Sequence, residues 1–503
     1  MSLPEESQPL APESASDDAG IALDVLDSAG AGGLMIRGGI LRVLGYAGGV
    51  VLSVVSAAVV TRHLGVSRFG QYTTVTSLVA VVAAVTDSGM SNVGTREYAV
   101  LHEPERSRMM SNLLGLRVVL TLLGVLLVMI FALAVGYSEA LAFGALAGSL
   151  ATVALVWQHT LSIPLATDLR LGTLSVLELG RQILLVVGLV LLAMLGAGVF
   201  PLLGVPLIAN LALIAPTALL VRGRVSAHIS LRPSAWPPLL SATVVFSLAT
   251  AVGVIYVYTA QVLTSLVASH YQSGLFAVSF RVFVVSASLP GLVVAGTLPL
   301  LSRAARDDHD RLVYVLQRIF EAASVAGVGS AVVLSAGSGF VVSVIAGPAY
   351  ASAAPVLAIQ SFAMVGSFVV AGWSFGLLSM RLHRGLLVSN LAALIVSVVL
   401  TLLLSRYDGA RGAAVATVCG EVTLAAGSLL ALVWRRPRYR PQLTVVAKVG
   451  AAGAAAAALS LTPGMPSVVR PVVAFVVYGA VILGTRALPA ELRELLPSHR
   501  PQR

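Results

Sequence analysis

Lysine and cysteine are all but missing from this chain: Lys448 and Cys419 each stand alone among 503 residues. One thiol excludes a disulfide framework and a cysteine-built metal site. The eight histidines are scattered singly, without the paired spacing of a zinc-binding helix, and no hydrolase, kinase or transferase motif is present. Neither enzymatic activity nor a cofactor is therefore expected. Charge is scarce as well. Asp, Glu, Lys and Arg make up 11% of the residues, against roughly 25% in soluble domains, which excludes a soluble globular chain.

Hydrophobic residues fill 57% of the sequence. Runs of about 20 apolar residues, the length a helix needs to cross hydrocarbon, recur throughout and predict an all-α polytopic membrane protein. Fourteen crossings are expected, near 38–60, 72–95, 112–136, 139–163, 178–197, 200–221, 242–267, 274–300, 319–345, 354–378, 386–405, 411–434, 444–462 and 469–487. An even number puts both termini on one side. Residues 1–33 hold seven acids and no Lys or Arg, the composition of a disordered tail, and they lack the positive segment of a cleavable signal peptide.

Placement of the 32 basic residues sets the orientation. Twenty-two lie in loops or tails on the side of the termini, and five (62, 68, 406, 411 and 470) on the other. Cytoplasmic loops collect basic residues, so both termini are expected in the cytoplasm. The same bias explains the net charge of +10 without nucleic acid as a partner. All outward loops are short, which leaves no room for an extracytoplasmic catalytic domain.

The longest inward connector, 222–241, carries Pro233, Trp236, Pro237 and Pro238 and follows six crossings. This divides the chain into an acidic cytoplasmic tail (1–33), a six-helix bundle (34–221), a cytoplasmic linker (222–241), a second six-helix bundle (242–434), two additional helices (435–487) and a cytoplasmic tail (488–503). Phe69-Gly70-Gln71-Tyr72 before the second crossing is echoed by Ser273-Gly274-Leu275-Phe276 before the eighth. Six crossings per half make such a repeat parallel, with a pseudo-twofold axis along the membrane normal.

Polar groups at membrane depth are the candidates for function, because they are costly there. Arg42 lies about 7 Å into the first crossing and Asp87 about 12 Å into the second, at 1.5 Å per residue. Arg42 can snorkel to the interface, or the two can pair and neutralise each other. Arg281 falls near the outer end of the eighth crossing, where arginine is uncommon, and its planar fork suits phosphate. Glu421 is roughly 15 Å deep in the twelfth, a place where a carboxyl is protonated or paired, and serves either ion coupling or helix contact. Gln158, His159, Asn210, Gln261 and Gln360 are read first as helix-helix ties, with Tyr256 and Tyr258 as candidates for stacking on sugars. Arg117 and Arg181 are expected to be interfacial anchors.

One stretch carries a recognisable pattern. Arg62-His63-Leu64-Gly65 and Phe69-Gly70, then Asp87-Ser88-Gly89 and Arg96-Glu97, resemble the second-helix region of the Wzx-type polysaccharide flippases, in the multidrug/oligosaccharidyl-lipid/polysaccharide exporter superfamily. The likeness continues through Ser273 to Arg281, Pro299 to Arg303, Gly347-Pro348-Ala349-Tyr350, and Gly412 to Glu421. It covers residues 38 to about 434. The seventh crossing departs from the pattern: Tyr256-Val257-Tyr258-Thr259-Ala260-Gln261 lacks the charged pair often found there, which puts that pair's role in doubt here.

The resemblance implies a central cavity between the bundles, alternating access, and a polyprenyl-diphosphate-linked oligosaccharide as cargo, moved from the inner to the outer leaflet of a prokaryotic plasma membrane. Arg42, Asp87, Tyr258, Gln261 and Arg281 are then the expected substrate-binding residues, and Glu421 the ion-coupling candidate. Membrane lipids, a polysaccharide polymerase and glycosyltransferases are the implied partners. A multidrug cation antiporter shares the fold but needs an acidic cavity, whereas the first crossing holds Arg42 and no acid. A membrane glycosyltransferase or polymerase would display a sizeable outward loop, which is missing.

Overall fold

A computed structural model describes residues 29–487 apart from 88–89, 103, 169, 223–229, 233–235, 237–243, 296, 436–437 and 461. The expected tails and most of the 222–241 linker lie outside the described residues, as do the side chains of Arg42 and Asp87. Among the described residues there is no strand, and nine helices are long and apolar enough to cross a membrane, or ten if one bent pair counts as a single span. Their outer surfaces fit that placement. Leu127 is 65% and Leu133 71% exposed on one such helix, where only lipid would make leucine a favourable surface residue.

The chain runs α1 (Ala29–Asp87), α2 (Met90–Val100), α3 (Glu105–Val135), α4 (Glu139–Leu161), α5 (Ile163–Thr167), α6 (Leu171–Met194) and α7 (Val199–Leu220). After the connector come α8 (Val244–Val267), α9 (His270–Ala295), α10 (Leu298–Asp307), α11 (His309–Ala336) and α12 (Ser338–Ile345). A 3-10 turn (Pro348–Ala353) leads to α13 (Ala354–Gln360), α14 (Ala363–Ser379), α15 (His383–Arg435), α16 (Leu443–Ser460) and α17 (Val469–Gly484).

Two expected loops are single-point breaks inside long helical stretches. In α1 the break is Gly65, at φ 69° and ψ 173°, a backbone setting that glycine reaches without a Cβ clash. In α15 it is Asp408–Gly409, with Gly409 at φ 53° and ψ −125°. The second break folds α15 into a hairpin. Positions 404 and 412, 389 and 427, and 385 and 431 approach each other, and each pair is equidistant from 408. A Cβ on Gly412 would lie 2.2 Å from the Leu404 carbonyl oxygen, so the turn depends on small residues. Lipid supplies no hydrophobic drive between helices, and close approach through such residues takes its place.

Packing divides the bundle by depth. At the end marked by the Gly65 break, one cluster draws Val60, Leu64, Phe69 and Leu202 together with Phe276, Phe280, Tyr350 and Ala413, so residues from before and after the connector share a core. At the other end they separate. Met90, Tyr98, Leu113 and Ile163 form one cluster, against which Trp236 packs, and Leu301, Leu316, Trp373 and Leu386 form another. The last two helices are fastened to the side of α11, where Ala452, Ala456 and Ala474 meet Val332 and Ala336. There the Tyr478 hydroxyl donates to the Val325 carbonyl at 2.7 Å.

Candidate functional site

The stretch from Arg62 to Gly70 is where the two groups of helices meet. Arg62 Nη2 donates to the Val344 carbonyl at 2.6 Å, the Tyr350 hydroxyl donates to the Thr61 carbonyl at 3.0 Å, and Phe69 meets the Tyr350 ring edge-on at 6.3 Å. Backbones touch directly here. A Cβ on Gly70 would lie 2.7 Å from the Gly274 nitrogen, and one on Gly274 would lie 2.0 Å from the Val66 carbonyl oxygen. The two glycines of the sequence echo therefore meet at one contact, Gly70 making room for the Gly274 backbone and Gly274 for the Val66 carbonyl.

Beneath this closure lies Arg281 of α9, an exposed residue whose Nη2 donates to Ser53 Oγ of α1 at 2.8 Å. It joins the two groups of helices. Tyr72 and Tyr258 stand within electrostatic reach of its guanidinium, and Tyr258, half-buried, packs edge-on against Phe280 at 5.8 Å. Guanidinium, phenol and serine hydroxyl on facing walls form a donor-rich surface suited to an anionic, hydroxylated group. Gln261 is set differently. It is fully buried, and its Nε2 donates to Ser273 Oγ at 3.1 Å, with Thr74 Oγ1 farther off at 3.5 Å.

Glu421 occupies a separate pocket among helices after the connector. The Tyr256 hydroxyl donates to one carboxyl oxygen at 3.0 Å and Ser367 Oγ to the other at 2.8 Å. Glycines shape the pocket. A Cβ on Gly420 would lie 2.8 Å from the Tyr256 oxygen, and one on Gly366 would lie 2.7 Å from Glu421 Cβ. The carboxyl borders a cavity of about 330 Å³ with Tyr256, Phe283, Ser288 and Phe375 on its walls. No described Lys, Arg or His lies within ion-pair distance of it. The arrangement can exchange a proton or accommodate a small cation. Among the described residues no group of three His, Cys, Asp or Glu is placed to hold a metal ion.

The structure brings Arg281 and Tyr258 to one surface, ties Gln261 into a helix contact, and sets Glu421 apart. Tyr256 is buried against Glu421 instead of open to a sugar. Asn210 donates to the Ala151 carbonyl at 2.8 Å and Gln158 to Thr217 Oγ1 at 3.2 Å, as helix ties. Arg117 corrects an expectation: it is fully buried in α3 and no interfacial anchor, because the helix begins at Glu105, well before the apolar run. Arg181 pairs with Glu178 one turn away. Ser53, Tyr72 and Ser367 escape a reading of the sequence, since serine and tyrosine in an apolar helix carry no signal until a partner is in place.

Fold and site together define a helical membrane protein whose two groups of helices are joined at one end and separate at the other. A sequence model of the family described as "Polysaccharide biosynthesis protein" matches residues 59–355, more than half of the chain, and the chain belongs to that family. No curated protein sequence matches it. Among solved structures, a lipid II flippase MurJ in an inward closed conformation superposes with a TM-score of 0.72 at 13% identity, covering 89% of this chain and 99% of that one. An inward-facing multidrug resistance MATE family transporter gives 0.56 at 13% identity, covering 78% and 94%. A transporter of the MOP superfamily from Pyrococcus furiosus, described as having a binding pocket of reversed polarity, gives 0.55 at 15% identity, covering 81% and 95%. At these identities what is shared is the fold.

Proposed function

We propose that this protein is a flippase that moves a polyprenyl-diphosphate-linked oligosaccharide from the inner to the outer leaflet of a prokaryotic plasma membrane by alternating access. The observation that carries the reading is the single shared core at one end against two separate clusters at the other, with Arg281 on the surface between. Such a molecule holds a headgroup between its halves while the lipid tail stays in the bilayer. A sugar diphosphate cannot cross hydrocarbon unaided. Membership of a polysaccharide biosynthesis family and the fold held in common with a lipid II flippase support the same cargo class.

In this reading α1 and α15 each count as two crossings at their breaks, giving fourteen in all. The halves 34–221 and 242–434 are parallel repeats, and 435–487 is an addition to the second. Arginine bias puts both termini and the separated end in the cytoplasm, so the structure represents an inward-facing state. Arg281 and Tyr258 contact the diphosphate and the first sugar, Gln261 secures the closure, and Glu421 couples an ion. A multidrug antiporter fits less well, because among the described residues the site between the halves is built around a cation, Arg281.

The test is reconstitution. Purified protein in vesicles, given a fluorescent polyprenyl-diphosphate oligosaccharide in one leaflet, should expose it to a membrane-impermeant quencher on the other side far faster than protein-free vesicles do. No acceleration, with an organic cation transported instead, would sink the proposal. Orientation has its own check: a cysteine at the exposed Ser352, in a Cys419→Ser background, should react with an impermeant maleimide from outside intact cells.

A further inference from the structure

A second surface lies away from the site between the halves. The turn from α14 into α15 and the two arms of the α15 hairpin enclose an open groove of about 810 Å³. Its floor is apolar, with Val245, Val388, Ala392 and Leu430, and it runs from position 383 to 392 along the first arm, roughly 13 Å at 1.5 Å per residue. Its mouth is cationic. Arg381, Arg384 and Arg435 line it, all three exposed, and among the described residues no acid lies within ion-pair distance of any of them. Trp434, 87% exposed, stands at the rim.

Each feature points to the same occupant. A tryptophan on a membrane protein's surface belongs at the headgroup level, which fixes the depth of the mouth. An apolar channel leading from there into the bilayer takes a hydrocarbon chain. Three unpaired guanidiniums at one mouth call for a compact anion, and each forms short, charge-assisted bonds with phosphate oxygens. Arg381 adds a sign of constraint. Its φ of 56° is a left-handed setting that glycine would adopt at no cost, yet arginine occupies it, at the residue that turns α14 toward the groove.

We infer that this groove is a binding site for an anionic glycerophospholipid of the leaflet that meets this end, with its phosphate among Arg381, Arg384 and Arg435 and one acyl chain along the hairpin. Basic pockets between transmembrane helices are known to select such headgroups. The inference needs only that the chain spans a bilayer. It stands or falls separately from the transport reading.

The experiment uses the full chain in vesicles and the fluorescence of Trp434, isolated as the difference between the wild type and Trp434→Phe. Dibrominated phosphatidylglycerol should quench this component at several-fold lower mole fraction than dibrominated phosphatidylcholine. Each of Arg381→Gln, Arg384→Gln and Arg435→Gln should reduce that preference, and the triple change should abolish it. These exposed positions leave the core intact, which circular dichroism would verify. Ala392→Phe, which fills the channel and spares the charges, should also weaken quenching by the brominated chain. Equal quenching by the two lipids in the wild type, or a preference retained in the triple variant, would overturn the inference. So would full recovery of fluorescence on adding polyprenyl diphosphate at a hundredth of the lipid concentration, because the groove would then be a substrate site.

Discussion

At the scale of the residue, two side chains carry distinct expectations. Arg281 reaches Ser53 across the gap between the halves, and lysine would keep its charge while losing the planar fork. Arg281→Lys should therefore retain part of the transport rate. Arg281→Ala should weaken headgroup-lipid binding by about one to two orders of magnitude, since a charge-assisted hydrogen bond contributes roughly 1.5–3 kcal/mol. Binding of the headgroup lipid to purified variants decides the matter, and unchanged affinity in Arg281→Ala would remove this residue from the site. Glu421 makes a different case. Glu421→Gln keeps one acceptor oxygen and offers its amide N–H to the other hydroxyl's oxygen, so both contacts survive and it should fold normally and lose only stimulation by an ion gradient. Glu421→Ala strands two buried hydroxyls at about 1–3 kcal/mol each and should also melt at lower temperature. If both variants respond to the gradient as the wild type does, Glu421 has no part in coupling.

At the scale of the element, the breaks in α1 and α15 are the points where one residue decides a topology. Gly409 combines a positive φ with a crowded setting, since a Cβ there would lie 2.7 Å from Gln272 Oε1. That same oxygen accepts the Ala410 backbone N–H at 3.1 Å, tying the hairpin turn to the start of α9. Gly409→Ala should thus cost at least about 1–2 kcal/mol from backbone strain alone and lower the melting temperature in detergent. Gly65→Ala, with nothing within 4 Å of its Cβ, pays only the backbone part and should be the milder change. Equal melting temperatures for the two would show that Gln272 yields without cost.

At the scale of the whole molecule, the closure built on Arg62, Gly70, Gly274 and Tyr350 must open if cargo is to leave on that side. A Cβ on Gly347 would lie 3.9 Å from Arg62 Cγ. Cysteines at 62 and 347, in the Cys419→Ser background, should accept a short bifunctional crosslinker. Crosslinking should stop transport and cleavage of the linker should restore it. Full transport in the crosslinked protein would mean that this end stays shut throughout the cycle.

How much of this was open to a reading of the sequence depends on range. The apolar runs, the arginine distribution and the glycines of the Phe69-Gly70 and Ser273-Gly274 motifs are local, because crossing a bilayer is a demand on each segment separately. They determined the all-helical membrane class and singled out the Arg62–Gly70 stretch. Contacts between helices far apart in the chain were decided only by the tertiary structure. Glu421 meets Tyr256 across 165 positions and Arg281 meets Ser53 across 228, and an apolar helix gives no sign of which serine or tyrosine will have a partner. Arg117 shows the limit most sharply: its charge suggested a surface, and packing buried it. In lipid the surroundings are as apolar as the helices, so hydrophobicity marks the segments, while close fit and a few polar bonds choose which faces meet.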